Sequence, residues 1–179
     1  RPRDGGRLLA AVVARSLAGV ADRGQRGLGN GAVAALDGVQ PDAAGQVRSV
    51  AKVAAALRRA GIRVSLFIDP VASQVLASRA AGADAVEFNT GQYAEARTRP
   101  AVQSELEKLR AASSLAAEQG LAVFAGHGLN YHNILPVRAI PELEEVNIGH
   151  SIVSRALFVG LERAVRDMVE LLARPVTAG

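Results

Sequence analysis

From Gln46 onward, apolar residues recur at helical spacing, stop at a glycine, and return as short runs or alternations. Val47, Val50, Ala54 and Leu57 share one helical face, and Gly61 follows Arg58 and Arg59 as a stop signal. Ile62 to Ile68 then reads as a strand, with Asp69 placed to cap a helix that begins at Pro70 and buries Val71, Val75 and Leu76. Gly82 ends that helix. The run Ala85-Val-Glu-Phe-Asn89 alternates, setting Ala85, Glu87 and Asn89 against Val86 and Phe88, so one side of this strand is unusually polar. A loop from Thr90 to Tyr93 leads into a helix from about Pro100 to Gln119, with Val102, Leu106, Leu109 and Leu115 inward. Leu121 to Ala125 is a buried strand that breaks into Gly126-His127-Gly128. A loop and short helix through Asn133 to Ile140 precede a last strand, Val146 to Ile148. A final helix runs from about Ser151 to Ala173 and is closed by Pro175.

Strands and helices alternating every 25 to 35 residues or so mark βαβ units with right-handed crossovers, hence the α/β class with a parallel sheet. Four such units make half of a TIM-type (β/α)8 barrel or a small open sheet. In the half-barrel, the edge strands near Ile62 and Val146 are expected to lack partners, because no alternating strand is evident before residue 47. Phe67 and Phe124 would then face water across an open interior.

Composition separates residues 1–46 from 47–179. The first segment is rich in Ala, Gly, Arg, Val, Leu and Asp, and the first Lys, Ile and Glu are Lys52, Ile62 and Glu87. Such a low-complexity palette fits GC-rich coding sequence read out of frame, and no function is assigned to it. The chain starts at Arg1 rather than Met, so sequence is expected to be missing upstream. A pI of 10.3 invites a nucleic-acid partner, yet net charge is only +4 and acids and bases interleave along the helix faces, which favours solvated surface. The absence of cysteine excludes disulfides and thiolate metal sites and fits a reducing cytoplasm. The apolar run Leu8 to Ala14 is far too short to span a membrane.

All three histidines, His127, His132 and His150, fall in two segments that read as strand ends. His127 sits where a strand stops, flanked by Gly126 and Gly128, and core histidines seldom occur so. Glu87 shares the polar side of its strand with Asn89, and a carboxylate inside a barrel is costly unless it is paired or used. Gly149-His150-Ser151 opens the last helix, where backbone N–H groups and the helix dipole make an anion site. Barrels hold phosphates in the loops after their last two strands. The blander alternatives are structural histidines and a Ser151 that merely caps its helix. No fixed histidine spacing supports a metal, and none is expected.

Four stretches then carry a resemblance. Arg63-Val-Ser-Leu-Phe-Ile-Asp69, Val86-Glu-Phe-Asn-Thr-Gly91 with Tyr93-Ala94, Ala125-Gly-His-Gly-Leu-Asn-Tyr-His-Asn133 and Glu145-Val-Asn-Ile-Gly-His-Ser-Ile152 resemble successive strands of the pyridoxine 5′-phosphate synthase family, in order and spacing, from about Ala44 to Ala173. The resemblance implies a TIM barrel of vitamin B6 biosynthesis that condenses 1-deoxy-D-xylulose 5-phosphate with 3-amino-2-oxopropyl phosphate, releasing phosphate and water. It implies no metal or organic cofactor, small phosphorylated substrates as partners rather than nucleic acid or membrane, a cytoplasmic setting and a homo-oligomer. By the same resemblance His127 is the proton donor and Gly128 its ligand-binding neighbour. Gly149 and His150 hold the product's phosphate, and Glu87 stabilises the transition state. Asn89 departs from the family, where a histidine is usual. The family's first strands, with a general-base glutamate, a second catalytic histidine and substrate-clamping arginines, find no counterpart, so an incomplete, C-terminal half of the barrel is expected. Two other readings stand beside it: another phosphate-binding β/α enzyme, and a non-catalytic phosphate-binding half-barrel serving binding or assembly.

Overall fold

The computed structural model describes residues 9–11, 34–36 and 44–174, with side chains from residue 47. Two short strands, β1 (Leu9–Ala11) and β2 (Ala34–Leu36), precede helix α1 (Ala44–Arg59), strand β3 (Val64–Ile68) and helix α2 (Ala72–Ala80). Strand β4 (Ala85–Asn89) leads through a short α3 (Gly91–Glu95) to the long α4 (Arg99–Glu118). Then come β5 (Ala122–Gly126), α5 (Ile134–Arg138), β6 (Leu143–Asn147), α6 (His150–Val159) and α7 (Leu161–Ala173). The strands form one parallel sheet in the order β1-β6-β5-β4-β3-β2. From β3 to β6, strands consecutive in sequence are neighbours in space. That is the wall order of a β/α barrel, without the reversal that marks a doubly wound sheet.

The outer edges differ from expectation. β1 pairs with β6 and β2 with β3, so both strands expected to be bare carry a neighbour. Three-residue apolar strands are held by backbone pairing and are too short to show an alternation, which is why Leu9–Ala11 and Ala34–Leu36 escape a pattern reading. The rest of residues 1–43 and residues 175–179, Pro175 among them, lie outside the described residues.

Parity along the strands divides the sheet into two faces. Val64, Leu66, Ile68, Val86, Phe88, Val123, Ala125 and Val146 belong to the buried apolar cluster shared with Leu106, Leu109, Ile134 and Met168 of the helices. The opposite face carries Ser65, Phe67, Ala85, Glu87, Asn89, Phe124, Gly126, Glu145 and Asn147, and register places Phe67, Glu87, Phe124 and Glu145 side by side. Phe124 does not meet water as expected: it is buried, whereas Phe67 is half-buried.

Three local expectations are corrected. Helix α2 starts at Ala72 with Val71 as N-cap and no side-chain cap, because Asp69 is engaged elsewhere. Its buried face is Gln74, Val75 and Ser78, while Val71 and Leu76 are about half exposed. The last strand is Leu143–Asn147, with Glu144 as an extra residue between the pairs Val123–Leu143 and Phe124–Glu145. The final helix is two helices, since Gly160 (φ 82, ψ 154) adopts a backbone that only glycine tolerates well and interrupts the ladder.

Candidate active site

Strands β3 to β6 all end at one edge of the sheet, and the polar residues gather there. Glu87, the middle residue of β4, is buried on the face turned away from the helices. A Cβ built on Gly126 would lie 2.3 Å from Glu87 Oε1, so it is the missing side chain of β5 that makes room for the carboxylate. Strand parity in β4 and glycine in β5 together fix where this charge sits.

β5 ends at Gly126, and His127 follows with φ 75, the one positive φ outside glycine among the described residues. A non-glycine residue held there stores strain of order 1–3 kcal/mol, which the surroundings must impose. Thr90 imposes it. Its N–H donates to Gly126 O at 2.9 Å, and its Oγ1 lies 2.8 Å from Gly126 O and 2.5 Å from His127 O, one hydroxyl proton serving the turn. Gly128 continues with φ 76, and a Cβ there would come within 2.6 Å of Ala94 Cβ, so the loop lies tight against α3. The exposed imidazole of His127 packs over the start of that helix, its Cδ2 being 3.1 Å from the Cβ position at Gly91.

Beyond Gly128, Asn133 Nδ2 donates to Gly128 O (3.1 Å), Asn130 N–H to Asn133 Oδ1 (2.7 Å), and the Tyr93 hydroxyl to Asn133 O (2.7 Å). Burial raises the Tyr93 phenol above its usual pKa and keeps it a donor. His132 is exposed and uses its backbone N–H on Asn130 Oδ1 in this turn, apart from the other two histidines' strand ends.

Gly149 is the N-cap of α6 and His150 its first residue, leaving the first amides without intrahelical acceptors. Ser151 does not cap the helix. Its Oγ donates to Leu129 O at 3.0 Å, which ties the start of α6 to the loop that follows His127. The glycine–histidine pairs at the ends of β5 and β6 are thereby joined. Asn89, where the resemblance would place a histidine, is used structurally: Nδ2 donates to Asp69 Oδ1 (3.1 Å) and Oδ1 accepts from Gly91 N–H (3.0 Å), linking the ends of β3 and β4.

Thr90, Glu145 and Asn147 also belong to this edge, and residue type alone does not single them out. The alternation Glu145-Val-Asn147 puts both polar residues on the side of Glu87. Burial raises the Glu145 carboxyl above its ordinary value of 4.5, Arg63 opposes the shift and neighbouring Glu144 adds to it. A raised carboxylate pKa means the folded chain binds more protons than the unfolded one, so this group destabilises as pH climbs above 4.5. Glu145→Gln is therefore expected to raise the melting temperature at neutral pH, with the gain shrinking as pH falls through and below 4.5. Thermal unfolding across that range checks it, and a pH-independent difference would contradict the assigned cause.

Among the described residues, no three His, Asp or Glu side chains converge as a metal ion requires. A separate cavity of about 260 Å³ lies between α6, α7 and Tyr131, lined by Arg155, Arg163, Asp167 and Arg174. Arg163 Nε donates to Asp167 at 2.7 Å and Arg155 Nε at 2.8 Å, with Arg155 stacked 5.1 Å from the Tyr131 ring centroid. These hydrogen bonds hold the Asp167 carboxyl below the usual range and brace the two helices. This cleft is separate from the strand ends that carry the glycine–histidine turns.

Residues 37–174 match the family described as pyridoxal phosphate biosynthesis protein PdxJ. The chain belongs to this family. Among curated PdxJ relatives, the pyridoxine 5′-phosphate synthase of Trichlorobacter lovleyi is 53% identical over 134 residues, covering 75% of this chain and 56% of the relative. That of Photobacterium profundum is 53% identical over 132 residues, covering 73% and 54%. The chain thus spans about half the length of the curated relatives it matches. A solved mandelate oxidase with benzoyl-formic acid aligns at 22% identity and TM-score 0.47 over 71% of this chain and 36% of the oxidase, too distant to carry weight. The PdxJ match spans Glu87, His127, Gly128, Gly149 and His150, and equally Thr90, Glu145 and Asn147.

Proposed function

We propose that this chain carries the proton donor, the charge-stabilising carboxylate and the phosphate cradle of a pyridoxine 5′-phosphate synthase of vitamin B6 biosynthesis. Its four units β3 to α7 would form the C-terminal wall of a TIM-type barrel. The observation that carries the reading is the Ser151–Leu129 hydrogen bond, which seats the amides of Gly149 and His150 beside the His127-Gly128 turn. The synthases that share half of these residues supply the reaction class.

In this proposal the chain's own groups divide the condensation of 1-deoxy-D-xylulose 5-phosphate with 3-amino-2-oxopropyl phosphate. The free amides at the start of α6 and the His150 side chain hold a phosphate dianion. Gly128, lacking Cβ, lets the substrate approach the backbone. His127, fixed by Thr90, gives a proton to the departing oxygen. Glu87, a carboxylate in a low-dielectric wall, stabilises positive charge that develops on the condensing nitrogen. None of these steps calls for a metal or organic cofactor. The proposal includes a cytoplasmic enzyme and a homo-oligomer. No described helix is long and apolar enough to cross a membrane. Leu157 and Phe158, more than four-fifths exposed beside Val153 and Leu161, give α6 an apolar surface suited to a second copy, so sedimentation should show more than one chain per particle. A second reading, phosphate binding without turnover, rests on the same free amides at the start of α6, which can hold an anion whether or not a reaction follows.

His150→Ala is expected to weaken binding of pyridoxine 5′-phosphate by about 1.5–3 kcal/mol, roughly 10- to 150-fold, through loss of a charge-assisted hydrogen bond. Isothermal titration of wild type and variant measures this. Equal affinities would remove His150 from the cradle, and binding in a turnover-competent assay without product would favour the second reading.

A further inference from the structure

We infer that Thr90 is a positioning residue of this site, its hydroxyl setting the plane of the His127–Gly128 peptide and so the direction of the Gly128 amide as well as the seat of the imidazole. The inference rests on the synthase reading for what His127 and Gly128 do, and adds what orients them to do it. His127 stands between two glycines, and a peptide unit that adjoins glycine has little conformational preference of its own. Either peptide plane beside His127 could turn over at small cost, so a group outside the turn must choose. Thr90 chooses with two donors. Its N–H donates to Gly126 O at 2.9 Å, while its Oγ1 lies 2.8 Å from that oxygen and 2.5 Å from His127 O. A hydroxyl has one proton, and Gly126 O already accepts from the amide, so the proton goes to the nearer His127 O. In a trans peptide C=O and N–H point opposite ways, so drawing His127 O toward Thr90 turns the Gly128 N–H away from it.

Three features show that the hydroxyl is committed to this turn. Threonine is a preferred helix cap, yet Thr90 is the N-cap of α3 and makes no side-chain cap bond there. It is fully buried, so water does not compete for its proton, and a hydroxyl left without a partner in that place would be costly. The helical turn it opens is fitted to the same loop: Ala94 N–H donates to Thr90 O at 2.9 Å, and a Cβ at Gly128 would lie 2.6 Å from Ala94 Cβ. Thr90 therefore acts on the backbone around His127, and reaches the reaction through His127 and Gly128.

The test sets function against stability in the full chain. Thr90→Val keeps the shape and loses the hydroxyl, whereas Thr90→Ser keeps the hydroxyl and loses a methyl. Thr90→Val is expected to slow turnover roughly 10²-fold, the scale for reacting groups misplaced by about an ångström. Thr90→Ser should turn over near the wild-type rate even though the lost packing lowers its melting temperature. A merely structural role would instead make turnover follow thermal stability in both variants. Backbone amide resonances of the isotopically labelled chain read the turn itself. Those of His127 and Gly128 should move in Thr90→Val and stay in Thr90→Ser. Thr90→Ala, which also lacks the hydroxyl, should move them too and decides the matter if the valine variant does not fold. Resonances that stay in place without the hydroxyl overturn the inference and leave the synthase reading intact. Turnover lost equally in Thr90→Ser also overturns it, because the methyl contact would then be what matters. A wild type that forms no product goes against the synthase reading alone, and the resonances still decide whether Thr90 sets the peptide.

Discussion

Asparagine in place of His127 is expected to slow the condensation by about 10²- to 10⁴-fold, with little change in substrate affinity, in any polypeptide that carries this chain and turns over. The substitution is unusually clean at this position. His127 holds φ 75, and asparagine is among the few residues that accept the left-handed region readily, so the turn clamped by Thr90 should persist. What disappears is an imidazole able to pass a proton; the amide keeps a hydrogen-bond donor but cannot be a general acid. Single-turnover rates measured alongside KM separate the two effects. Unchanged turnover would make His127 a strained structural residue, and a loss confined to KM would make it a binding group.

Gly126→Ala is the second large effect. Its backbone is that of an ordinary strand end, so the obstacle is the carboxylate: the new Cβ would fall 2.3 Å from Glu87 Oε1. The far end of a flexible side chain can move, and the sheet should survive, but Glu87 would no longer sit where it is needed. Turnover is expected to fall about 10²- to 10³-fold, as when a preorganised electrostatic group is removed. Glu87→Gln should cost a comparable amount, and the double variant should be hardly worse than either single one, because both act on one charge. Additive losses in that cycle would mean Gly126 acts by some route other than the position of Glu87. Full activity of Gly126→Ala would show that the carboxylate is not required at that point.

The wall from β3 to α7 could be read in advance because its signals are long and mutually consistent. Glycines follow α1, α2 and α4 where the helical periodicity ends, Thr98 caps α4 by accepting from Ala101 N–H at 3.4 Å, and the strands carry clear apolar runs. The errors have local physical causes. Asp69 looked like a cap, but it accepts from Asn89, and its backbone N–H donates to Gln74 Oε1 at 3.0 Å, contacts that depend on tertiary structure. Leu76 looked buried from its chemistry alone. Gly160 escapes a pattern reading because the apolar spacing continues on both sides of it while the helical backbone does not.

For the site, the glycine-flanked histidines and the helix start at Gly149 announced themselves by residue type. Thr90, Glu145 and Asn147 did not, since an ordinary polar residue acquires its role only through what the neighbouring strand places opposite it. The register that sets Asn147 against Gly126, and Gly126 beneath Glu87, is a property of paired strands and cannot be found in either strand alone. The same holds for Ser151, whose cap-like position conceals a bond to Leu129.

The most direct test of the synthase assignment is a titration of the isotopically labelled chain with pyridoxine 5′-phosphate, followed by backbone amide resonances. Saturable shifts are predicted at Gly126 to Gly128 and at Gly149 to Ser151 together, with the cleft at Arg155 and Arg163 unaffected. Shifts confined to that arginine cleft, or none at either glycine–histidine turn at concentrations that saturate inorganic phosphate binding, would contradict it.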